Sequence, residues 1–351
     1  MKSSFLTDDV ELLLKDISGL VAPLTTEERE KKIQSGTHYC EMLPIEYKPS
    51  LKYIEIYEKA LEVFSESTAD AVGRVSQKIW ERKGKNAVVI SLARAGTPVG
   101  VLIKRYIKQK YNVSIPHYSI SIIRDRGIDK NAMKYILSKH TAQNLIFVDG
   151  WIGKGAILEE LKKELVDFPE VDAEIAVLAD PANLTELCGT HEDILIPSSC
   201  LNCTVCGLIS RTFLRSDIIG NHDFHGAVFY NELHDEDRTY EFINKVESLF
   251  KFENYRNVMH EKNEINGPDE VRALAEKYGI DNVNLVKPGI GETTRVLLRR
   301  VPWKILISSK YVDSNELSLV NQLAEEKNVP VEVTTLNNYK CCGIIKKLAD
   351  A

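Results

Sequence analysis

The stretch SLARAGTPVG, Ser91 to Gly100, decides the fold together with LIFVDGWIGKGAI, Leu145 to Ile157. Each is an apolar run that ends in a glycine-containing corner and then resumes at helical spacing. In the first, Ala87 to Leu92 reads as a buried parallel strand and Ala93 to Thr97 as a tight loop. Pro98 is expected to be the first residue of a helix, where its missing N–H and fixed φ do no harm. In the second, Leu145 to Val148 is the strand, Asp149 to Gly155 the loop, and Ala156 to Leu165 a helix with Ile157, Leu158, Leu161 and Leu165 on one face. Open α/β sheets bind ligands outside the carboxyl ends of their strands. An anion at a helix start there gains ~0.3–1 kcal/mol from the macrodipole. Arg94 adds a five-donor cation, and Gly96 lets the backbone approach closely. The glycines of the second loop can wrap a phosphate, while Asp149 can hydrogen-bond sugar hydroxyls. The residues themselves therefore describe a sugar-phosphate site.

Further apolar runs at Ile115 to Ile122, Ala173 to Leu178 and Asp193 to Ile196 alternate with helical patterns. The expected class is α/β, a doubly wound, mostly parallel sheet of about five strands. Tyr53, Ile56, Tyr57, Ala60, Leu61 and Phe64 predict a helix between Leu51 and Arg82. The organisation expected is a mostly helical arm over 1–50, ending in the extended stretch THYCEMLPIEYKPS, and a first domain over 51–250. A linker over 251–261 then leads to a compact second unit over 262–351.

The 351 residues carry a net charge of −6, with 44% apolar and 27% charged residues. This is ordinary globular composition, and nothing global calls for nucleic acid. No apolar run approaches the ~18 residues of a membrane span, and no basic region precedes an apolar core at the N-terminus, so no membrane partner and a cytoplasmic location are expected. Seven cysteines, with Cys341 and Cys342 adjacent, fit a reducing compartment better than a disulfide framework. Cys200, Cys203 and Cys206 are spaced CxxCxxC, three thiolates for zinc or an iron–sulfur cluster, with His222 or His225 as a fourth ligand. Packing as small hydrophobes is the plainer alternative. A Cys beside a His, with Cys200 or Cys40 as nucleophile, is also the minimum for thiol hydrolysis. A P-loop is excluded, because Gly150 and Gly153 are too close together and Gly155 follows Lys154 where a hydroxyl is required.

ARAGTPVG resembles the pyrophosphate loop of type I phosphoribosyltransferases, and FVDGWIGKGA is similar to their loop for phosphoribosyl pyrophosphate (PRPP). The family loop reads as two acids, a Gly, two small or apolar residues, a Thr, two Gly and a Thr. Here Val148 stands at the first acid, Asp149 at the second and Gly150 at the first Gly. Gly153 stands at the first Thr, Lys154 and Gly155 at the Gly pair, and Ala156 at the last Thr. One acid and both hydroxyls are replaced, and Lys154 brings a point charge instead. The resemblance implies displacement at the ribose anomeric carbon, with Mg²⁺ bridging pyrophosphate and ribose oxygens. Arg94, Ala95, Gly96 and Thr97 would hold pyrophosphate. Gly150, Gly153, Lys154, Gly155 and Ala156 would take the 5-phosphate, and Asp149 the ribose hydroxyls. It also implies a lid, here SIIRDRGIDKNAMKYI with Arg124, Arg126 and Lys130, whose alternative is a solvated charged hairpin. A hood for the acceptor is expected around 181–240, with Asn202, Arg211, Phe213, His222, Asp223 and His225 as candidates.

Near the C-terminus, KPGIGETTRVLLRRVPWKILISSKYVD resembles the RNA-binding fold, a small α/β/α sandwich, shared by kink-turn-binding ribosomal proteins and the terminal domain of Pelota. Their motif of Gly, any, Asn, Glu, any, Thr, Lys falls on Gly289, Ile290, Gly291, Glu292, Thr293, Thr294 and Arg295, with Gly291 in place of the Asn. Gly289, Gly291, Glu292, Thr294, Arg295 and Arg299 are thereby expected at an RNA interface. From the residues alone, Arg295, Arg299, Arg300, Lys304 and Lys310 follow one another with no acid between Thr293 and Lys310. Such a patch suits phosphate contacts with structured RNA, and a solubilising helix face is the alternative. Over its whole length the chain resembles two-domain proteins of tellurite-resistance and stress clusters that carry the family label cysteine protease StiP. The combined expectation is a pentosyl-transferring enzyme whose partners are a ribose-phosphate and structured RNA, with a homodimer left open. The alternatives are a nucleotide-sensing RNA-binding regulator without turnover and a Cys-dependent hydrolase.

Overall fold

Strand residues alternate between two apolar faces, and both faces are covered. The structure, a computed structural model, describes residues 1–255 and 263–346. Most of the expected 251–261 linker and residues 347–351 lie outside the described residues. In chain order the elements of the first unit are β1 (Glu11–Leu12), β2 (Lys15–Asp16), α1 (Thr26–Gln34), α2 (Leu51–Lys83), β3 (Val88–Ala93), α3 (Gly96–Tyr111), β4 (His117–Ile123), β5 (Gly127–Ile128), α4 (Lys130–Leu137), β6 (Leu145–Trp151), α5 (Ala156–Glu164), β7 (Ile175–Ala179), β8 (Cys188–Thr190), β9 (Gly226–Ala227) and α6 (Thr239–Glu247). The second unit contains α7 (Gly267–Lys277), β10 (Val286–Pro288), α8 (Ile290–Arg299), β11 (Pro302–Ser308), α9 (Ser318–Glu326), β12 (Val331–Thr334) and β13 (Cys341–Ile345).

The main sheet runs β1-β4-β3-β6-β7-β8 with parallel neighbours, and β5 adds antiparallel to β4. Val89, Ile146, Val148, Ala176 and Leu178 face one core with α2 and α3, while Val88, Ile90, Leu145, Phe147, Ile175 and Val177 face the other with α4 and α5. Coverage of both faces explains why these strands read as continuous apolar runs. From β3 the chain steps outward to β4 and then returns to the other side of β3 as β6. The order therefore reverses between β3 and β6, which opens a crevice at their carboxyl ends.

The chain departs from expectation at three places. No strand forms at 193–196: Ile196 is extended but unpaired and leads into the turn Pro197–Cys200, and the sheet edge is instead β8. The arm over 1–50 is not simply helical, since β1 pairs with β4 and β2 with β9. The helix start also shifts: α3 begins at Gly96, so Pro98 is its third residue, still within the first turn whose N–H groups have no intrahelical partner.

The second sheet, β10-β13-β11-β12, is covered on one face by α7 and on the other by α8 and α9. The two units are not separated by solvent. One apolar cluster runs from Ile56, Phe64 and Val72 of α2 to Ile290, Leu297, Ile305 and Val320 of the second unit. A buried carboxylate fastens them: Asp193 accepts from the N–H of Ile290 at 2.9 Å and of Lys340 at 2.9 Å. Burial, partly offset by those two donors, pushes its carboxyl up to about 6. Removing this acceptor strands two buried backbone donors. Asp193→Ala should therefore cost about 2–4 kcal/mol in urea unfolding of the full chain, and an unchanged midpoint would show that the donors find other partners.

Candidate functional site

The two glycine corners meet at the crevice. A Cβ on Gly96 would lie 2.6 Å from the Val148 carbonyl oxygen and 3.1 Å from the Asp149 Cα, and neither backbone atom can swing aside. Asp149 leaves β6 just there, its carboxylate accepting from the Gly150 N–H at 2.8 Å. After Trp151 the loop closes at Gly155, whose φ of +87° is costly for other residues. Gly155 precedes α5 and offers it no side-chain cap. The first N–H groups of α5 are thus left for another acceptor.

A cavity of about 430 Å³ occupies the crevice. Ala95, Asp149, Gly153, Lys154, Gly155 and Ala156 line it from the two corners, with Tyr39 and Arg124 beside them. The opposite wall comes from the second unit, with Lys287, Glu292 and Arg295. Four cations thus share the space with two carboxylates, and Arg295 is paired with Glu292 at 2.8 Å. Burial pushes the Asp149 carboxyl up to about 6, with the Gly150 N–H and Arg295 pulling it back. Burial, then Lys287 and Arg124, push Lys154 down to about 8. Lys287 is lowered as well, first by burial and then by the neighbouring arginines, with Glu292 opposing. Lys154 and Lys287 are thus held below the ordinary lysine value by burial and neighbouring cations, beside helix N–H groups that α5 leaves uncapped.

Several expected site residues are employed elsewhere. Arg94 is turned away from the cavity and bonds Glu46 at 3.1 Å and the Ile209 carbonyl at 3.0 Å. Thr97 is buried with its hydroxyl 2.8 Å from Ser119 Oγ. The expected lid is a tight hairpin into β5, from which Arg124 reaches the cavity. Arg126 pairs with Glu41, and Lys130 with Asp167. The hood candidates do not line the cavity: Asn202 binds Arg299, Arg211 the Met42 carbonyl, Asp223 pairs with Lys15, and Phe213 and His225 are buried. His222 is exposed. The cavity wall facing the two corners comes from the second unit.

The basic run does not form one surface. Arg295 faces the cavity, and Arg299 turns inward to Asn202 Oδ1 at 2.7 Å and the Cys200 carbonyl at 2.9 Å. Lys304 pairs with Glu332, and Arg300 and Lys310 are exposed. Of the motif, Gly291 and Thr294 are buried, and Gly289 sits against Asp193.

Cys200 and Cys206 belong to the main core, while Cys203 packs with Leu208, Tyr230 and Leu233. Burial pushes Cys200 and Cys203 up to about 12 and Cys206 to about 11. Among the described residues no group of three or more His, Cys, Asp or Glu side chains is arranged to hold a metal ion. Nor is any helix among them long and apolar enough to cross a membrane.

Sequence reasoning missed Tyr39, Trp151 and Lys287 on the cavity wall and Tyr339, whose hydroxyl donates to the Gly153 carbonyl at 2.6 Å. Trp151 and Lys287 each lie inside a stretch that was singled out, but their orientation depends on how the two units dock.

A family model described as tellurite-like stress resistance cysteine protease StiP matches residues 3–247 of this chain, and one described as PELOTA RNA binding domain matches residues 265–347. The chain is 32% identical over 365 residues to the cysteine protease StiP of Acinetobacter baylyi, covering 98% of this chain and 94% of that protein. Among solved structures it is similar to a hypoxanthine-guanine phosphoribosyltransferase from Bacillus anthracis, at 21% identity and a TM-score of 0.26, over 35% of this chain and 71% of that one. It is also similar to a hypothetical protein from Neisseria gonorrhoeae with bound ppGpp, at 17% identity and a TM-score of 0.22, over 35% of this chain and 66% of that one.

Two predictions follow from the electrostatics of these groups. The Asp149 carboxyl is raised from its ordinary 3.8 to about 6, so its favourable contribution is complete below about pH 4 and is lost as pH rises through 6. Asp149→Asn should be more stable than wild type at pH 8 by about 1–3 kcal/mol in urea unfolding, with the difference vanishing near pH 4. Equal stability at pH 8 would mean that water reaches the carboxylate. The cysteines, all buried, should resist iodoacetamide at pH 7.5 until denaturant is added, as mass spectrometry can check.

Proposed function

Because the chain belongs to the StiP family of tellurite-like stress resistance proteins and carries a Pelota-type RNA-binding domain, we propose that its cavity binds a phosphorylated ribose, PRPP or a close relative, for phosphoribosyl transfer. The observation that carries this reading is the convergence of the β3 and β6 corners at the point where strand order reverses. Asp149 lies there between the uncapped start of α5 and an excess of cations.

In this reading the 5-phosphate takes the first N–H groups of α5. Gly153 and Ala156 supply no hydroxyl, so the ammonium of Lys154 supplies charge in their place. That ammonium already donates to the Val283 carbonyl and Asn284 Oδ1, both at 3.1 Å, and has a third donor to give. Asp149 accepts from the ribose hydroxyls, and Arg124 meets the pyrophosphate. Mg²⁺ in such sites is held by one or two carboxylates plus substrate oxygens, and Asp149 fits that role with a single protein ligand. When bound, the ion would neutralise charge on the leaving pyrophosphate. What remains for the protein is positioning and electrostatic stabilisation of an oxocarbenium-like state. Structured RNA is the second partner, with Arg300 and Lys310 as cations exposed to it. A regulator that senses the nucleotide without turnover would use the same pocket.

Thiol hydrolysis is favoured by the relative's name and by two Cys–His pairs. Cys40 Sγ lies 3.0 Å from His38 Nδ1. Cys188 Sγ lies 3.3 Å from His191 Nε2, and His191 Nδ1 lies 3.0 Å from the Asp180 carbonyl oxygen. Against it, both cysteines are fully buried, and burial pushes the Cys188 thiol up to about 12 and that of Cys40 to about 11. If peptidase turnover is found, Cys188→Ala or Cys40→Ala must abolish it for this reading to stand.

Calorimetric titration of PRPP with Mg²⁺ into wild type and Asp149→Asn tests the main reading. Micromolar binding, about −8 kcal/mol, that the mutant loses is the expected result, and no heat in either would rule it out. Anion binding should also raise the depressed Lys154 value, so near pH 8 protons are taken up and the heat should vary with the ionisation enthalpy of the buffer.

A further inference from the structure

We infer that Lys287 and Arg295 of the second unit complete the phosphate site of the first, so that the ligand is gripped from both sides and the Gly289–Arg295 corner serves it instead of a base edge. This rests on the ribose-phosphate reading above and extends it to residues outside the phosphoribosyltransferase-like loops.

The corner that resembles an RNA reader is already spent. The Ile290 N–H, first in α8, donates to Asp193, and Gly291 lies 3.8 Å from the Trp151 ring when a Cβ is placed on it. The face of α8 carrying Glu292 and Arg295 opens into the same cavity as Asp149 and the Gly153–Ala156 loop. Among the described residues no carboxylate lies within ion-pair distance of the Lys287 ammonium, which lines that cavity on the strand before α8. Arg295 is the cation whose field reaches the Asp149 carboxylate, and Lys287 is the strongest of those acting on Lys154. The two cations thus stand on one wall of the cavity, facing the ribose carboxylate and the phosphate loop that line the other. Glu292 competes with the ligand for Arg295 by holding it at 2.8 Å. Tethers across the cavity keep this wall in place: Lys154 to Val283 and Asn284, and Tyr339 to Gly153.

The competing role of Glu292 gives the test its sign. In calorimetry of the full chain with PRPP and Mg²⁺, Lys287→Gln and Arg295→Gln should each weaken binding by about tenfold or more, the usual effect of losing a charge-assisted contact. Arg295→Lys should recover part of that loss, and Glu292→Gln should bind more tightly than wild type because it releases Arg295. A wall that merely supports the fold would weaken binding in all of these variants, with lower melting temperatures, and that outcome overturns the inference. Wild-type affinity in Lys287→Gln and Arg295→Gln, with binding lost only in Asp149→Asn, also overturns it and leaves the ribose-phosphate reading intact. No binding by wild type removes both.

Discussion

The contact between Gly96 and the Val148 carbonyl is the constraint on which the site depends. With no side chain between them, the corners after β3 and β6 lie against each other, and Asp149 is delivered to the mouth of a crevice that parallel order alone would leave wide. Helix α5 then starts from a glycine with a left-handed backbone and no cap of its own. Everything proposed for the pocket follows from this juxtaposition of a carboxylate, uncapped amides and cations gathered by later segments.

Such an arrangement is kept against the stability of the chain. A partly desolvated carboxylate at the crevice and mutually repelling cations around it both cost folding free energy. The cost is offset by the apolar cluster that spans both units and by the Asp193 clasp at the start of α8. Opposed sheets with one interior hold the charged walls at fixed separation, which loops could not do.

Much of this was legible in the sequence, and the rest was not for identifiable reasons. The runs that became β3, β4, β6 and β7 were read from their apolar character, because strands buried on both faces leave an unmistakable signal. The two corners were read from their glycines. The strand expected at 193–196 failed because a short apolar run says nothing about pairing, and there the carboxylate of Asp193 turns to the second unit. Arg94 was assigned to pyrophosphate on its position, but its guanidinium follows Glu46 in the arm, a partner 48 residues away in sequence. Arg299 shows the same failure: helical spacing put it beside Arg295, but Arg299 alone turns in against Asn202 and Cys200 while Arg295 faces the cavity. Spacing specifies a face, and only docking specifies what the face meets.

The apolar cluster common to both units carries a consequence for how such a chain is inherited. A recognition module joined by a tether can be exchanged, duplicated or lost without harm to its neighbour. Here Ile290, Leu297 and Ile305 fill the space beside α2, so either half alone would expose a greasy wound. Substitutions on one side of that boundary must be answered on the other, and the two halves are bound to evolve as one gene.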